Sequence, residues 1–279
     1  MRPGTVSKIL WHFTGGPQWD SELNKQLTEL KPAMNGYEAM KSILSSGELR
    51  TGNYHEIVKV IVPEKRKYNY ETKSFEMLQN VPVTVKSNPV CCVADIPLQH
   101  LAYHAQRYGK IAIGFKRESI IKAGFNPVMY TLENSALLNS IYTGYDAIDE
   151  VDPSCIASEI ESLSGEVEQK LEEHNIDDYV DFSSPEYEIG YAAKGHQKLT
   201  DSYSDFLAYI KTFDTTEFDS IYCEREWRST QNFKFTFDDV AMLILPSEQE
   251  GFEFYTDFLS NFVLPRQVTV ARWEDLVEN

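Results

Sequence analysis

The stretch "PVCCVADIPLQHLAYHAQRYGKIAIGF", residues 89–115, predicts a strand, a helix and a second strand in direct succession. "PVCCVAD" is short, apolar and rich in small and β-branched residues, which is typical of a buried strand. The apolar residues that follow repeat at helical spacing, with Pro97 near the start of the helix and Gly109 at its end. "KIAIGF" then has the character of a second strand.

The chain on both sides of this stretch alternates in the same way. "SKILWHFTG" predicts a strand, "GYEAMKSILSSGEL" a helix that ends at Gly47, and "HEIVKVIVPE" another strand. From residue 218 onward, four strand-like stretches surround the helix "EQEGFEFYTDFLSNFV", whereas residues 146–215 read as mostly helical. We expect an α+β protein: one domain over residues 1–279 with a helical insertion at about 146–215.

The charge of the chain is concentrated in one segment. The formal net charge is -17, and residues 146–188 contain 15 acidic residues and one basic residue. The rest of the chain is nearly neutral, so an anionic substrate bound elsewhere is compatible with the composition. The acidic segment itself would attract a basic partner.

Targeting and metal signals are weak. The sequence has no run of about 18 apolar residues and begins without the apolar core of a signal peptide, so we expect a cytoplasmic protein without a membrane span.

The four cysteines lack zinc spacing and are expected to be reduced and structural. His100 and His104 share a helix face, which suits either two metal ligands or a polar helix end. No metal is expected.

"LWHFTGG", residues 10–16, is the first candidate binding element. On a strand, His12 and Thr14 face one side and Phe13 faces the other, toward the core. The side chains of His12 and Thr14 can hydrogen-bond a sugar hydroxyl, and Gly15 and Gly16 leave room for a ligand to approach the backbone closely. A half-exposed strand with a satisfied histidine and a glycine turn explains the same residues.

"YCEREWRST", residues 222–230, is the second candidate. In an extended strand Glu224, Glu226 and Arg228 share one face. Two carboxylates about 7 Å apart repel each other unless a cation or a substrate hydroxyl lies between them. The pair could hold a ribose and stabilise positive charge at an anomeric carbon, with Arg228 pairing a carboxylate or holding a phosphate. An edge strand of alternating charge is the other interpretation.

"EKRKYNYETK", residues 64–73, interleaves basic residues with tyrosines. Such a pattern can bind a single-stranded nucleic acid, but it is also typical of a solvated loop.

Together, "LWHFTGG", "ILSSGEL", residues 90–130 and "YCEREWR" resemble the AbiGi-type abortive phage-infection family, whose pattern is in turn similar to the ADP-ribosyltransferase fold. The resemblance implies a split mixed β-sheet with a helical acidic insertion. It also implies NAD as co-substrate, with His12 and Thr14 on the NAD ribose. Glu226 would then be the catalytic glutamate and Glu224 the upstream residue that selects or activates the acceptor.

Other roles implied by the resemblance are less direct. Phe13 and Arg228 would join the NAD site, and Tyr108 and Tyr130 are candidates by position for stacking on nicotinamide. The implied activity is that of an ADP-ribosyltransferase toxin or effector of anti-phage defence, with a nucleic acid or a protein as acceptor and an antitoxin as partner. Because the AbiGi family includes proteins described as antitoxins, a non-catalytic antitoxin or interaction protein of the same fold is an alternative. An NAD glycohydrolase is another.

Overall fold

The computed structural model describes residues 7–20, 25–52, 55–133, 135–149, 162, 165, 169, 172–173, 185–213 and 224–277. The chain divides into two compact units. The first contains residues 1–55, 89–130 and 208–279, and the second contains residues 56–88 and 131–207.

Strands and helices alternate along the described chain. The strands are β1 (Ile9–Phe13), β2 (Pro17–Asp20), β3 (Lys25–Leu30), β4 (Glu48–Leu49), β5 (His55–Asn69), β6 (Ser74–Pro89), β7 (Cys91–Ala94), β8 (Ala112–Lys116), β9 (Asn126–Pro127), β10 (Met129–Leu132), β11 (Ile210–Phe213), β12 (Glu226–Ser229), β13 (Phe233–Lys234), β14 (Val240–Leu245) and β15 (Thr269–Arg272). The helices are α1 (Ala33–Ser46), α2 (Leu101–Tyr108), α3 (Arg117–Lys122), α4 (Ala136–Asp149), α5 (Pro185–Leu207), α6 (Phe254–Asn261) and α7 (Trp273–Val277).

A seven-stranded mixed sheet forms the centre of the first unit, with the strand order β15-β14-β8-β1-β7-β12-β9. β14 and β15 are parallel, whereas each pair of neighbouring strands from β14 through to β9 is antiparallel. The predicted strand, helix and second strand of residues 89–115 are confirmed as β7, α2 and β8. β1 lies between β7 and β8, so the expected α+β class with a mixed sheet is confirmed.

The two faces of this sheet carry different apolar clusters because neighbouring residues of a strand point to opposite sides. Leu10 packs with residues of α1, including Tyr37 and Met40. Trp11, the next residue, packs with Leu101 of α2 and Trp273 of α7. The sheet is therefore covered by α1 on one side and by α2 and α7 on the other.

The predicted helix end at Gly47 is confirmed. α1 ends at Ser46, and Gly47 adopts a left-handed conformation with φ 62°, in which its amide donates to the Ile43 carbonyl. Glycine reaches this conformation without the steric cost that a Cβ would add.

The second unit contains the β5–β6 hairpin and the helices α4 and α5. The hydroxyl of Tyr203 on α5 donates to the Ile141 carbonyl on α4 over 3.2 Å. Residues 150–161 of the predicted helical insertion lie outside the described residues, as does most of the acidic segment. The extent of the insertion and the single-domain organisation stay predictions.

One part of the helical expectation is wrong. The sequence "AYIKTF" continues a helical pattern, but α5 ends at Leu207 and Ile210–Phe213 forms strand β11. Isoleucine, threonine and phenylalanine favour extended backbone, and here this local preference prevails over the continued periodicity.

Candidate functional site

The predicted site residues near the C-terminus meet in a buried ion-pair cluster of the first unit. We call Glu224, Glu226, Lys211 and Arg228 the carboxylate cluster. β12 carries Glu226 and Arg228, and it pairs with β7 so that Glu226 lies opposite Ala94. β11 supplies Lys211.

Arg228 is the most deeply buried member, with none of its side chain exposed. Its Nε donates to Oε1 of Glu226 over 3.0 Å, and its Nη2 donates to Oε2 over 3.1 Å. Nη1 donates to the Ala208 carbonyl over 2.8 Å. This bidentate geometry is the strong form of the arginine–carboxylate pair, and of the two roles that the sequence left open for Arg228, a carboxylate partner or a phosphate, it is the first.

Lys211 joins the two glutamates. Its Nζ donates to Oε2 of Glu224 over 2.5 Å and to Oε2 of Glu226 over 3.0 Å. The cation that two neighbouring carboxylates require is therefore a side chain of the protein itself.

The expected extended geometry of this stretch is wrong at its start. β12 begins at Glu226, and Arg225 has φ 44°, which is the left-handed region. Glu224 consequently precedes the strand and does not continue its alternation. Lys211, rather than strand periodicity, brings the two carboxylates together.

Residues of α2 and β10 complete the surroundings of the glutamates. Nη1 of Arg107 donates to Oε1 of Glu224 over 2.7 Å, and the Tyr108 hydroxyl donates to the same oxygen over 3.2 Å. The Tyr130 hydroxyl accepts a hydrogen bond of 2.9 Å from the Glu226 amide. Both tyrosines thus contact the cluster by their hydroxyl groups.

The protonation states follow from burial and charge. Burial by itself would raise the pKa of Glu226, but Lys211 and Arg228 outweigh it and hold that pKa below its usual range. Burial raises the pKa of Tyr130 to about 12 and also raises the pKa of Tyr108. The cluster therefore joins an ionised Glu226 to cations and protonated tyrosines. A carboxylate that is already neutralised in this way stabilises a new positive charge less than a bare one does.

His12 lies on the other face of the sheet. Trp11 and Glu226 are both opposite Ala94, so these two residues share a row and a face, and His12 points the opposite way. The His12 Nδ1 hydrogen-bonds the Cys92 carbonyl over 2.9 Å. Desolvation lowers the pKa of His12, against the effect of that hydrogen bond. The expectation that His12 and Glu226 converge in one cleft is wrong.

The neighbours of His12 make contacts within the protein. The Phe13 ring lies on the face of Glu226, 4.7 Å from the His104 ring between centroids. The Thr14 hydroxyl donates to the Ile111 carbonyl over 3.4 Å. A Cβ on Gly15 would lie 2.4 Å from the Tyr108 carbonyl oxygen. Gly15 thus permits close backbone packing, and not the ligand approach that the sequence suggested.

The two histidines that the sequence placed on one helix face have different surroundings, because His100 precedes α2 and His104 lies within it. His104 is buried and stacked on Tyr108, with 4.4 Å between the ring centroids, whereas His100 is exposed. Burial lowers the pKa of His104 to about 3 and keeps the ring neutral. Within the described part of the chain, no three histidine, cysteine or acidic residues are grouped to hold a metal ion.

The described cysteines are free thiols of the fold. Cys91 is buried and Cys92 is partly buried, and neither forms a disulfide. Burial raises the pKa of Cys91 to about 12 and raises that of Cys92 as well. These high values suit the structural role that the sequence predicted. Cys155 and Cys223 lie outside the described residues.

Sequence reasoning missed Lys211 and Asp95. Lys211 stands in "YIKTF", among residues that favour a strand. Because a lysine is almost never buried unless it is paired, a lysine at that position was a signal for a buried cation with acidic partners. Asp95 is buried and pairs with Arg117 and Arg225 at 2.7 Å and 2.9 Å. It therefore anchors the left-handed residue between the two glutamates.

No helix in the described ranges has the length and apolar character needed to cross a membrane.

The fold and the site define an α+β protein in which the carboxylates of Glu224 and Glu226 form internal ion pairs with lysine and arginine side chains. A family model described as "Putative abortive phage resistance protein AbiGi, antitoxin" matches residues 55–255, which is more than two thirds of the chain. The chain belongs to this family. No curated protein and no solved structure matches it.

The family corrects the functional prediction. The sequence favoured an ADP-ribosyltransferase toxin or effector, but the family is one of antitoxins, which supports the non-catalytic alternative. The match also begins at the first residue of β5, so His12, Phe13 and Thr14 lie outside the matched range.

Proposed function

We propose that this protein is the antitoxin of an abortive infection system and neutralises a protein toxin by binding it. The observation that carries the proposal is the antitoxin family match over residues 55–255. The carboxylate cluster supports it, because Glu224 and Glu226 are held by Lys211, Arg228 and Arg107. Such pairing suits residues that support the fold.

A catalytic role for Glu226 would require its ion pairs to be given up, and this supports the same conclusion. A glutamate that stabilises an oxocarbenium-like sugar needs its charge directed at the sugar. Here the fully buried Arg228 engages both carboxylate oxygens of Glu226. NAD binding, enzyme activity, the ADP-ribosyltransferase-like fold and a cytoplasmic location stay predictions from the sequence.

Stoichiometry tests the proposal. The purified protein is titrated against its cognate toxin, taken as the product of the neighbouring reading frame whose expression alone arrests growth. An antitoxin that acts by binding abolishes toxin activity at about one equivalent without added NAD, because each molecule occupies one toxin.

Two outcomes would contradict the proposal. Complete neutralisation by a small fraction of an equivalent, only when NAD is present, would indicate catalysis. Continued growth arrest when both genes are co-expressed would exclude an antitoxin role against that toxin. Calorimetry with NAD, on the wild type and on a Glu226→Gln variant, measures separately whether the predicted NAD site exists.

A further inference from the structure

The β5–β6 hairpin extends well beyond its buried base. Its strands, His55–Asn69 and Ser74–Pro89, form a two-stranded sheet. At the base, Val58, Val60 and Val85 are buried. From residue 70 to residue 77 every described side chain is exposed. A two-stranded ribbon is marginally stable in water by itself, so an exposed end of this length has a reason other than core formation.

The exposed end carries large apolar side chains. Phe75 and Met77 are 57% and 56% exposed, and Tyr70 at the turn is also exposed. Phe75 and Met77 occupy alternate positions of β6 and therefore share one face of the ribbon, and Asn80, with a left-handed φ of 54°, separates them from the buried Val85 nearer the base. Large apolar side chains exposed together on one face mark a surface for a partner.

The charge at this end is opposite to that of the whole chain. Residues 65–73 contain four basic residues and one acidic residue, whereas the chain has 26 basic and 43 acidic residues. Lys67 and Lys73 are exposed there. A basic end on an acidic protein is complementary to a surface rich in carboxylates.

The same segment suits a protein better than a nucleic acid. Glu64 and Glu76 stand among the basic residues, and they accept hydrogen bonds from Gln79 and Asn69 at 3.2 Å and 2.7 Å. A ribbon that carries both signs of charge lacks the uniformly basic surface that a phosphate backbone selects. Aromatic residues, methionine and arginine are also the types that are enriched at protein interfaces.

We propose that residues 64–79, the docking arm, bind the toxin at an apolar cleft bordered by aspartate and glutamate side chains. The proposal rests on the antitoxin function and assigns the surface that performs it. Phe75 and Met77 enter the cleft, and Lys67 and Lys73 pair with the carboxylates at its border.

Matched double variants test the docking arm against the toxin defined above. The apolar variant is Phe75→Ser with Met77→Ser, and its control is Leu259→Ser on α6 with Val263→Ser just after that helix, where both side chains are also exposed. The charge variant is Lys67→Glu with Lys73→Glu. Its control is Lys194→Glu with Lys198→Glu, which makes the same charge change on exposed residues of α5.

We expect each arm variant to weaken toxin binding at least tenfold in calorimetry and to lose rescue of growth, because central apolar anchors dominate interface affinity and the charge reversal places like charges opposite each other. Each control should bind within about twofold of the wild type. Circular dichroism melting checks that all four variants are folded. A folded arm variant that binds like the wild type would overturn the proposal and leave the antitoxin function intact.

A second titration uses a 20-nucleotide oligouridylate, followed by fluorescence anisotropy. Binding of this RNA that the charge variant abolishes, together with unchanged toxin binding, would assign the arm to nucleic acid and overturn the proposal. If the wild type itself fails to bind the toxin, the antitoxin function fails first and the docking arm fails with it.

Discussion

The carboxylate cluster and the docking arm both concentrate charged residues, yet the charges are used differently. In the cluster, Arg228 is fully buried and Lys211 nearly so, and both are bonded to glutamates. In the arm, Lys67 and Lys73 are exposed at the end of a ribbon. Charge that is neutralised inside the protein holds the fold, and charge left in water is available to a partner.

The comparison teaches where function is to be sought in this chain. The sequence drew attention to the glutamates because two carboxylates close together are unusual, but the structure supplies their cations from within. The exposed basic and apolar end of a hairpin is less conspicuous in sequence. It exposes apolar side chains and lysines to water, and binding needs such exposed surface.

Breaking the buried pair should have the largest effect. We expect Arg228→Met to lower the free energy of unfolding by about 3–5 kcal/mol, because it leaves the Glu226 carboxylate buried with only part of its compensation. Urea denaturation measures this change. Arg50→Met is the control, since the Arg50 side chain is 69% exposed beside Glu48, and it should cost no more than about 1 kcal/mol.

A double variant sharpens the same test. Arg228→Met with Glu226→Leu removes both charges, so it should be less destabilised than the sum of the single variants. Additive losses would show that the two side chains act independently and would contradict the ion pair between Arg228 and Glu226.

A substitution that crowds the backbone just after β1 should have the next largest effect on the free energy of unfolding. Gly15→Ala should lower the free energy of unfolding by about 1–3 kcal/mol, because its Cβ would meet the Tyr108 carbonyl. Thermal or urea unfolding measures the loss. Gly195→Ala, on α5 with open space around it, should instead stabilise the protein by up to about 1 kcal/mol. Equal effects of the two variants would argue against close packing at Gly15.

The neutral His104 should give a measurable pH dependence. Its pKa is about 3 in the folded protein against 6.5 for an ordinary histidine, so only the unfolded chain takes up this proton as the pH falls below about 6.5. The contribution to stability is therefore present at neutral pH and is lost on acidification, by at most about 1.4 kcal/mol per pH unit.

His104→Phe removes this titration and keeps an aromatic ring beside Phe13 and Tyr108. Between about pH 6.5 and about pH 4.5, the variant should lose stability less steeply than the wild type by that amount. His12 retains its own contribution of the same sign, because its pKa is also lowered. Parallel pH profiles for variant and wild type would contradict a buried neutral His104.

The docking arm should have the smallest effect on stability. Lys67→Glu with Lys73→Glu should change the free energy of unfolding by no more than about 0.5 kcal/mol, because both residues are exposed. Denaturation of the two arm variants measures this directly. A loss as large as that of Arg228→Met would mean that the docking arm stabilises the fold. The arm and the carboxylate cluster would then not differ in their roles.

Much of the fold could be predicted because local signals agreed with each other. In residues 89–115, apolar runs, helical spacing and Gly109 all indicated the same elements, which the structure confirms as β7, α2 and β8. The pattern failed at Ile210–Phe213, where helical periodicity continued past the true helix end into a strand. Periodicity alone does not distinguish these cases over four residues.

The site was less predictable because it depends on strand order. Whether His12 and Glu226 share a face is decided by β7, which lies between their strands and aligns Trp11, not His12, with Glu226. Single-residue register is not encoded in local composition. The pairing of Glu224 and Glu226 with Lys211 likewise depends on β11, which the sequence did not reveal.

The division of the first unit into three separate stretches of chain has a consequence for synthesis. While the ribosome has not yet passed residue 226, β12, β14 and β15 do not exist, so β7 and β8 each lack one neighbour. Pairings between such distant parts of a chain form slowly, and open strand edges are exposed to chaperones and proteases. The supply of folded protein is therefore delayed after translation.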